Sequence, residues 1–222
     1  MIVAAIPVKD LVNAKQRLVR LLDARERREL ARAMLADVLR AVVGAGLDRV
    51  WVVTREPEAV ALARAFGAEP LIELENRGHT AAVAVAQAQA VRIGADAFLT
   101  IPGDVPCVTV AEIRALVAAR PAAPAAVFTP SRSGLGTNAA LLAPPAAMRL
   151  RFGEPSFDSH VAAARTLRLD VRILSLPGLG LDVDDPNDLG ALLTAGPGTD
   201  SARLAAGWHV LQRAPLARAA LH

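Results

Sequence analysis

The sequence predicts an α/β fold: a mostly parallel central sheet with helices on both faces. Strand-length apolar runs alternate with helix-length amphipathic segments from residue 2 to residue 119, the pattern of repeated parallel crossovers. The 222 residues suffice for one such domain, burying roughly 70% of its unfolded surface, and leave too little chain for a second full one. Hydrophobic residues make up 53% of the chain but aromatics only 3%, so the core is expected to consist of small aliphatics.

Residues 2–8 read as a buried strand, followed by a polar loop over 9–17. The clearest helix covers 26–43, where Leu30, Met34, Val38 and Val42 recur at four-residue spacing beside Ala31, Leu35 and Leu39, until Gly44 and Gly46 stop it. A strand over 49–54, a helix over 56–66 and a short strand over 69–74 come next. An alanine-rich helix over 80–93 ends at Gly94, and a strand over 97–101 leads into a tight loop over 102–107. Thr109 and Glu112 have capping-box spacing for a helix running to Ala119. Beyond it, strands are expected over 125–129 and 139–142, joined by a glycine-rich link over 133–138. A helix over 157–167 and an alternating, half-exposed strand over 169–176 follow. Asp185 is placed as an N-cap with Pro186 at the first helical position and Leu189, Leu192 and Leu193 on the apolar face. The break over 195–198 divides a domain at 1–194 from a tail at 195–222, with one amphipathic helix over 201–212 that is a candidate packing or homodimer element.

Several functional classes are excluded by composition. No run of 18 uncharged apolar residues exists, and Met1 leads straight into a strand with no basic leader, so a cytoplasmic protein is expected. The single cysteine, Cys107, rules out an internal disulfide and a cysteine-based zinc cluster, leaving a small buried hydrophobe. Net charge is a modest +3, the arginines are dispersed and tyrosine is absent, which argues against a nucleic-acid surface.

Chemistry is concentrated where the strands are expected to end, the edge at which open α/β sheets bind ligands. Asp182 and Asp184 follow the apolar run 173–181; in an extended strand their carboxylates share a face with Cα atoms about 6.6 Å apart, an arrangement suited to a hard divalent ion and phosphate. By itself the pair also reads as an acidic turn. Asp104, fixed between Pro102-Gly103 and Val105-Pro106, stands at another strand end, as a further ligand or as a turn aspartate. Lys9, Lys15 and Arg17 follow the first strand, either as cations for nucleotide phosphates or as a solvated basic loop. Gly136-Thr137-Asn138 and the 152–157 segment, with Gly153 and Ser156, offer amides, hydroxyls and a helix N-terminus to a small acid; the alternative is two ordinary loops with Ser156 as a cap. No Walker loop, dinucleotide fingerprint or nucleophile elbow occurs. The four histidines lack ligand spacing: His160 reads as a surface or packing residue and His79 as a solvated loop residue, while Trp51 and Trp208 read as packing residues.

In order along the chain, Ile6-Pro7-Val8-Lys9, Ala14-Lys15-Gln16-Arg17-Leu18, Gly103-Asp104-Val105-Pro106, Gly136-Thr137-Asn138, Phe152-Gly153 through His160, and Leu181-Asp182-Val183-Asp184 resemble the CofC/FbiD guanylyltransferases, a branch of the GT-A-like nucleotidyltransferases. The resemblance runs from about residue 2 to residue 194. It implies transfer of GMP from GTP to a phosphorylated three-carbon acid (2-phospho-L-lactate, phosphoenolpyruvate or 3-phosphoglycerate) in coenzyme F(420) biosynthesis. It further implies Mg2+ on Asp104, Asp182 and Asp184, the nucleotide on Lys9, Lys15 and Arg17 with Lys15 in the catalytic set, and the acid on Thr137, Gly153 and Ser156. Two positions depart from the family pattern: Gly78-His79-Thr80-Ala81-Ala82 stands where G-L-N-A-A is usual, which bears on the choice of GTP, and Cys107 replaces a leucine. Competing readings are a nucleotidyltransferase for a molybdenum-cofactor or sugar-phosphate acceptor, against which the missing G-G-x-S-x-R loop argues, and a non-catalytic nucleotide-binding regulator, which has little use for three metal-type aspartates.

Overall fold

Alternate residues of the first strand, β1 (Ile2–Pro7), pack into different cores: Ala4 and Ile6 into one, Val3 and Ala5 into the other. A strand buried on both sides in this way belongs at the centre of a covered sheet. The computed structural model describes residues 1–213 except Val12, Asn13, Leu74, Asn76 and Glu154. In it β1 lies between β2 (Arg49–Thr54) and β4 (Ala97–Thr100), parallel to both, and β3 (Glu69–Ile72) extends the sheet beyond β2. Past β4 come β6 (Thr137–Ala143), β5 (Ala125–Pro130) and β7 (Asp170–Ile173), giving the order β3-β2-β1-β4-β6-β5-β7. Only β6 runs against the others, antiparallel to β4 and β5. This reversal brings Thr137 and Asn138, the first residues of β6, to the edge where β1, β4 and β5 end.

One face of the sheet is covered by α1 (Ala24–Gly44), α2 (Pro57–Ala65) and α4 (Val110–Ala118), the other by α3 (His79–Arg92) and α5 (Phe157–Thr166). The predicted stripe on α1 is real, with Leu30, Met34, Val38, Leu39 and Val42 all buried, and truncating one such leucine to alanine is expected to cost about 2–5 kcal/mol. Asp23 and Glu26 close a capping box that starts α1 two residues before the apolar period suggests, and Thr109 and Glu112 form the box predicted for α4.

The run 173–181 does not continue as a strand to Asp182. It makes the short α6 (Pro177–Gly180), then irregular chain to Asp185, which caps α7 (Pro186–Ala195) by accepting from the amides of Asn187 and Asp188. Gly178 explains the departure: its amide donates to Glu112 Oε1 at 2.7 Å, and an added Cβ would lie 2.3 Å from the Cys107 carbonyl oxygen, so only glycine fits there. The strand end at Leu74 lies outside the described residues.

Beyond Gly198 the chain packs as α8 (Asp200–Gly207) and α9 (Val210–Arg213), two pieces broken at Trp208 and His209 where one helix is expected. Asp37 of α1 accepts from the amides of Asp200 and Ser201 and from Ser201 Oγ, and Ala202 and Ala205 enter the same core as α1. Trp51 is buried, and Trp208 packs partly buried against the core. Residues 214–222 lie outside the described residues. No helix among the described residues is long and apolar enough to cross a membrane.

Candidate active site

Lys15 sits in the left-handed region, φ 56°, which turns its side chain inward from the loop after β1. Its ammonium donates to Asp104 Oδ2 at 2.6 Å and Asp184 Oδ1 at 2.8 Å; the lysine side chain is 7% exposed, the carboxylates 32% and 45%. Burial works to lower the Lys15 pKa, but attraction to Asp104 and then Asp184 outweighs it, and the net shift is upward. Asp104 mirrors this: burial raises its carboxyl, the Lys15 charge lowers it further, and it ends below the usual value. Backbone joins the same parts, since the Val183 amide donates to the Asp104 carbonyl at 3.1 Å.

Val183 is fully buried and the flanking Asp182 and Asp184 both line one cavity, so the shared-face arrangement holds without a strand. Asp182 is steered by Asn138, whose Nδ2 donates to Asp182 Oδ1 at 3.1 Å and to the carbonyls of Leu179 and Gly180 at 3.0 and 3.2 Å. Burial pushes the Asp182 carboxyl up, and the nearby charges of Asp104 and Asp184 push the same way. The three carboxylates do not form a ready metal shell: among the described residues no group of three acidic, histidine or cysteine side chains is arranged to hold an ion. The Lys15 ammonium already sits between Asp104 and Asp184, because two adjacent carboxylates near a cleft floor require a counter-charge. The donor chemistry nevertheless fits a hard cation, with oxygen ligands at a position that already holds a positive charge.

On the wall opposite, the groups bonded to Thr137 are neutral. Thr137 Oγ1 lies 2.9 Å from His160 Nδ1 and accepts from Ser156 Oγ at 3.3 Å. His160 is buried, stacks on Phe128 and accepts from the Arg151 amide at Nε2, 2.9 Å away. It is therefore a packing residue that is also fully hydrogen-bonded. Ser156 occupies the N-cap position of α5 but makes no side-chain cap bond, its hydroxyl being turned to Thr137. Gly153 has φ +134°, a conformation closed to ordinary side chains.

Two adjoining cavities of about 390 and 460 Å3 combine these parts. The first is lined by Lys9, Lys15, Gly103, Asp104 and Asp184 with apolar support from Met34 and Leu35 of α1. The second is lined by Thr137, Asn138, Gly153, Ser156 and Asp182. Lys9, His79, Pro102, Asp104 and Asp184 border both. Every singled-out residue except Arg17 thus reaches one cleft. Arg17 is exposed on a 3-10 turn, Gln16–Leu18, and borders neither cavity; the turn buries Leu18 and carries Arg17 outward. His79 is no solvated loop residue. It opens α3 with its ring edge-on to Phe152, and burial drives its pKa down to about 4. Sequence reasoning also missed the tethering role of Asn138 and the site position of Arg77, which lines the second cavity. The Thr80 hydroxyl takes the Phe152 amide at 2.9 Å and donates to its carbonyl at 3.2 Å, fixing the loop that carries Gly153.

A mostly parallel sheet with one reversed strand, bearing carboxylates and lysines at its carboxyl edge, defines an α/β nucleotidyltransferase of the GT-A-like class. Solved structures share this fold: one from Desulfovibrio desulfuricans G20, provisionally assigned as a nucleotide-diphospho-sugar transferase, at TM-score 0.76 and 15% identity over 96% of this chain and 97% of that one. A nucleotidyl transferase from Methanothermobacter gives 0.61 and 18% over 86% and 95%. The family model for CofC-like guanylyl transferases matches residues 2–206, and the chain belongs to that family. Curated relatives include the phosphoenolpyruvate guanylyltransferases of Conexibacter woesei, 41% identical over 85% of this chain and 86% of the relative, and of Rubrobacter xylanophilus, 39% over 87% and 94%. The 2-phospho-L-lactate guanylyltransferase of Methanothermobacter thermautotrophicus is 35% identical over 88% and 86%. The chain is accordingly an enzyme, a nucleotidyltransferase.

Proposed function

We propose that this enzyme transfers GMP from GTP to the phosphate of a three-carbon phospho-acid, releasing pyrophosphate, as a cytoplasmic step in coenzyme F(420) biosynthesis. Phosphoenolpyruvate is the first acceptor to test, since relatives at 39–41% identity carry that name and the 2-phospho-L-lactate relative stands at 35%. The observation that supports the reading is the ion-paired meeting of Lys15, Asp104 and Asp184 where two cavities adjoin, with Lys15 lining the first and Asp182 the second.

In this reading the triphosphate lies along Lys9 and Lys15, and the acid lies against Thr137, Gly153 and Ser156. An acceptor phosphate oxygen attacks the α-phosphorus of GTP, forming the new P–O bond as the bond to pyrophosphate breaks. The acceptor needs no base, because a phosphate monoester with second pKa about 6 is already largely dianionic at neutral pH. This suits a cleft whose histidines, His79 and His160, are both held neutral by burial, with pKa values pushed down to about 4. What remains is positioning and charge neutralisation. Lys15, kept protonated by its two carboxylates, is placed to neutralise phosphate charge. Asp104, Asp182 and Asp184 are the residues that would hold magnesium, which when bound supplies positive charge to the phosphates. Mass spectrometry of products from the three acids paired with each of the four nucleoside triphosphates tests the assignment: a guanylylated acid is expected with GTP, and a product with CTP or UTP alone would overturn it.

A further inference from the structure

His160 lies behind the proposed acceptor wall, and its two ring nitrogens face different parts of that wall. The Arg151 amide donates to Nε2 at 2.9 Å, so Nε2 carries no proton and the neutral ring must carry it on Nδ1. Nδ1–H then donates to Thr137 Oγ1 at 2.9 Å. Ser156 Oγ donates to the same oxygen at 3.3 Å. A hydroxyl has two lone pairs and one proton; with both lone pairs engaged, the Thr137 proton is left to point into the cavity that Thr137 borders. The bond from Arg151 also fixes the start of the Arg151, Phe152, Gly153 turn, which Thr80 grips from the other side through the Phe152 amide and carbonyl. One imidazole therefore sets both a donor and a loop.

We propose that His160, as its Nδ1–H tautomer, is a positioning residue for the acceptor: it aims the Thr137 hydroxyl proton at an anionic oxygen of the phospho-acid and holds the Gly153 turn beside it. The proposal rests on the function proposed above and names the group that organises its acceptor half. A cationic ring would turn a donor toward the Arg151 amide, and burial, which keeps the imidazole neutral, works against that state. His160 touches no reacting atom. Its effect is confined to the acid, because its partners Thr137 and Phe152 border the second cavity and no residue it contacts lines the first.

The test compares steady-state constants for acid and GTP in wild type, His160→Phe, His160→Asn, Thr137→Val and the His160→Phe/Thr137→Val double variant. Phenylalanine keeps ring packing against Phe128 and Phe152 without either bond. His160→Phe is expected to raise the acid KM about tenfold, the size of one lost hydrogen bond, with GTP KM unchanged. Asparagine places an amide near the Nδ1 position and should restore most of the loss. The double variant should resemble Thr137→Val alone, since both changes remove the same donor. Equal shifts in both KM values, no shift, no rescue by asparagine, or multiplied losses in the double variant would each overturn the proposal. Nitrogen NMR of the ligand-free protein reads the tautomer independently: an Nε2–H ring overturns the positioning role. If wild type guanylylates none of the acids, the proposed function falls while the tautomer result still stands on its own.

Discussion

The two walls of the cleft keep their polar groups in place by different physics. Around Lys15 full charges are balanced against one another, with one ammonium between two carboxylates and Asp182 beside them. The hydrogen-bonded chain at Thr137 consists of neutral groups, and direction comes from bonds ending in a histidine whose tautomer a backbone amide dictates. The charged wall can trade one partner for another at small structural cost, because an incoming phosphate can replace a carboxylate. The hydrogen-bonded wall cannot trade, but it can discriminate, since a misplaced donor leaves a buried partner unsatisfied.

The comparison breaks first at the carboxylates. Asp104→Asn, Asp182→Asn and Asp184→Asn are each expected to lower turnover by at least about 100-fold, the scale of losing a charge that acts on the transition state, and double variants should lose little beyond singles. Asp182→Asn carries a second expectation of opposite sign. Its carboxyl is raised by burial, so the ionised form costs folding free energy above about pH 4, and the cost fades as pH falls. Asparagine removes that cost and can still accept from Asn138, so the melting temperature should hold or rise by roughly 2–4 °C while activity disappears. A thermal melt beside a turnover assay checks both, and a destabilised Asp182→Asn would contradict the account of a carboxylate penalised by burial.

Lys15→Met should reduce kcat/KM for GTP by about 10–100-fold and act less on the acid. Its stability effect follows from two shifts. Asp104 is lowered, so its share is present above about pH 4 and is lost as pH falls through the lowered value; Lys15 is raised, so its share is present below about pH 10 and is lost as pH rises through the raised value. Urea unfolding should therefore give a deficit of about 1–2 kcal/mol between those limits, less than for a fully buried pair because the carboxylates can rehydrate, and convergence with wild type outside them.

Asn138→Ala sharpens the contrast, because Asn138 begins the strand of the neutral wall yet holds a carboxylate of the charged one. Its loss leaves the carbonyls of Leu179 and Gly180 without that donor and is expected to cost about 1–3 kcal/mol together with about tenfold in turnover. Unchanged kinetics would mean that Asp182 needs no steering.

How much of this was legible in the sequence differs between the walls. Asp104, Asp182, Asp184 and Lys15 announce themselves as charged residues following apolar runs, and the sheet edge gathers them. Thr137 and Asn138 were legible as a polar motif, but they read as loop, because the glycine-rich link before them hides where β6 begins. No local pattern encodes that β6 runs backwards; direction is settled by pairing with β4 and β5. An apolar run such as 173–181 fits a strand or a buried helical turn equally well, and it was Gly178, pressed on Cys107, that decided for the turn. The work of His160 and Asn138 lies in which atoms they meet, which residue type and spacing do not carry.

The smallest expected effect falls on Arg17. It shares a loop, a charge and a family motif with Lys15, two residues away, yet the 3-10 turn buries Leu18 and leaves Arg17 facing solvent beyond both cavities. A charge there feels the cleft only through water and salt, where attraction between exposed groups is largely screened at distances beyond about 8 Å at physiological ionic strength. Arg17→Ala should therefore change GTP kinetics less than about twofold at that ionic strength, with any residual effect on KM growing as salt is lowered. A salt-independent loss as large as that of Lys15→Met would show that the loop refolds around the nucleotide and draws Arg17 in, which would make the charged wall a surface completed by its substrate.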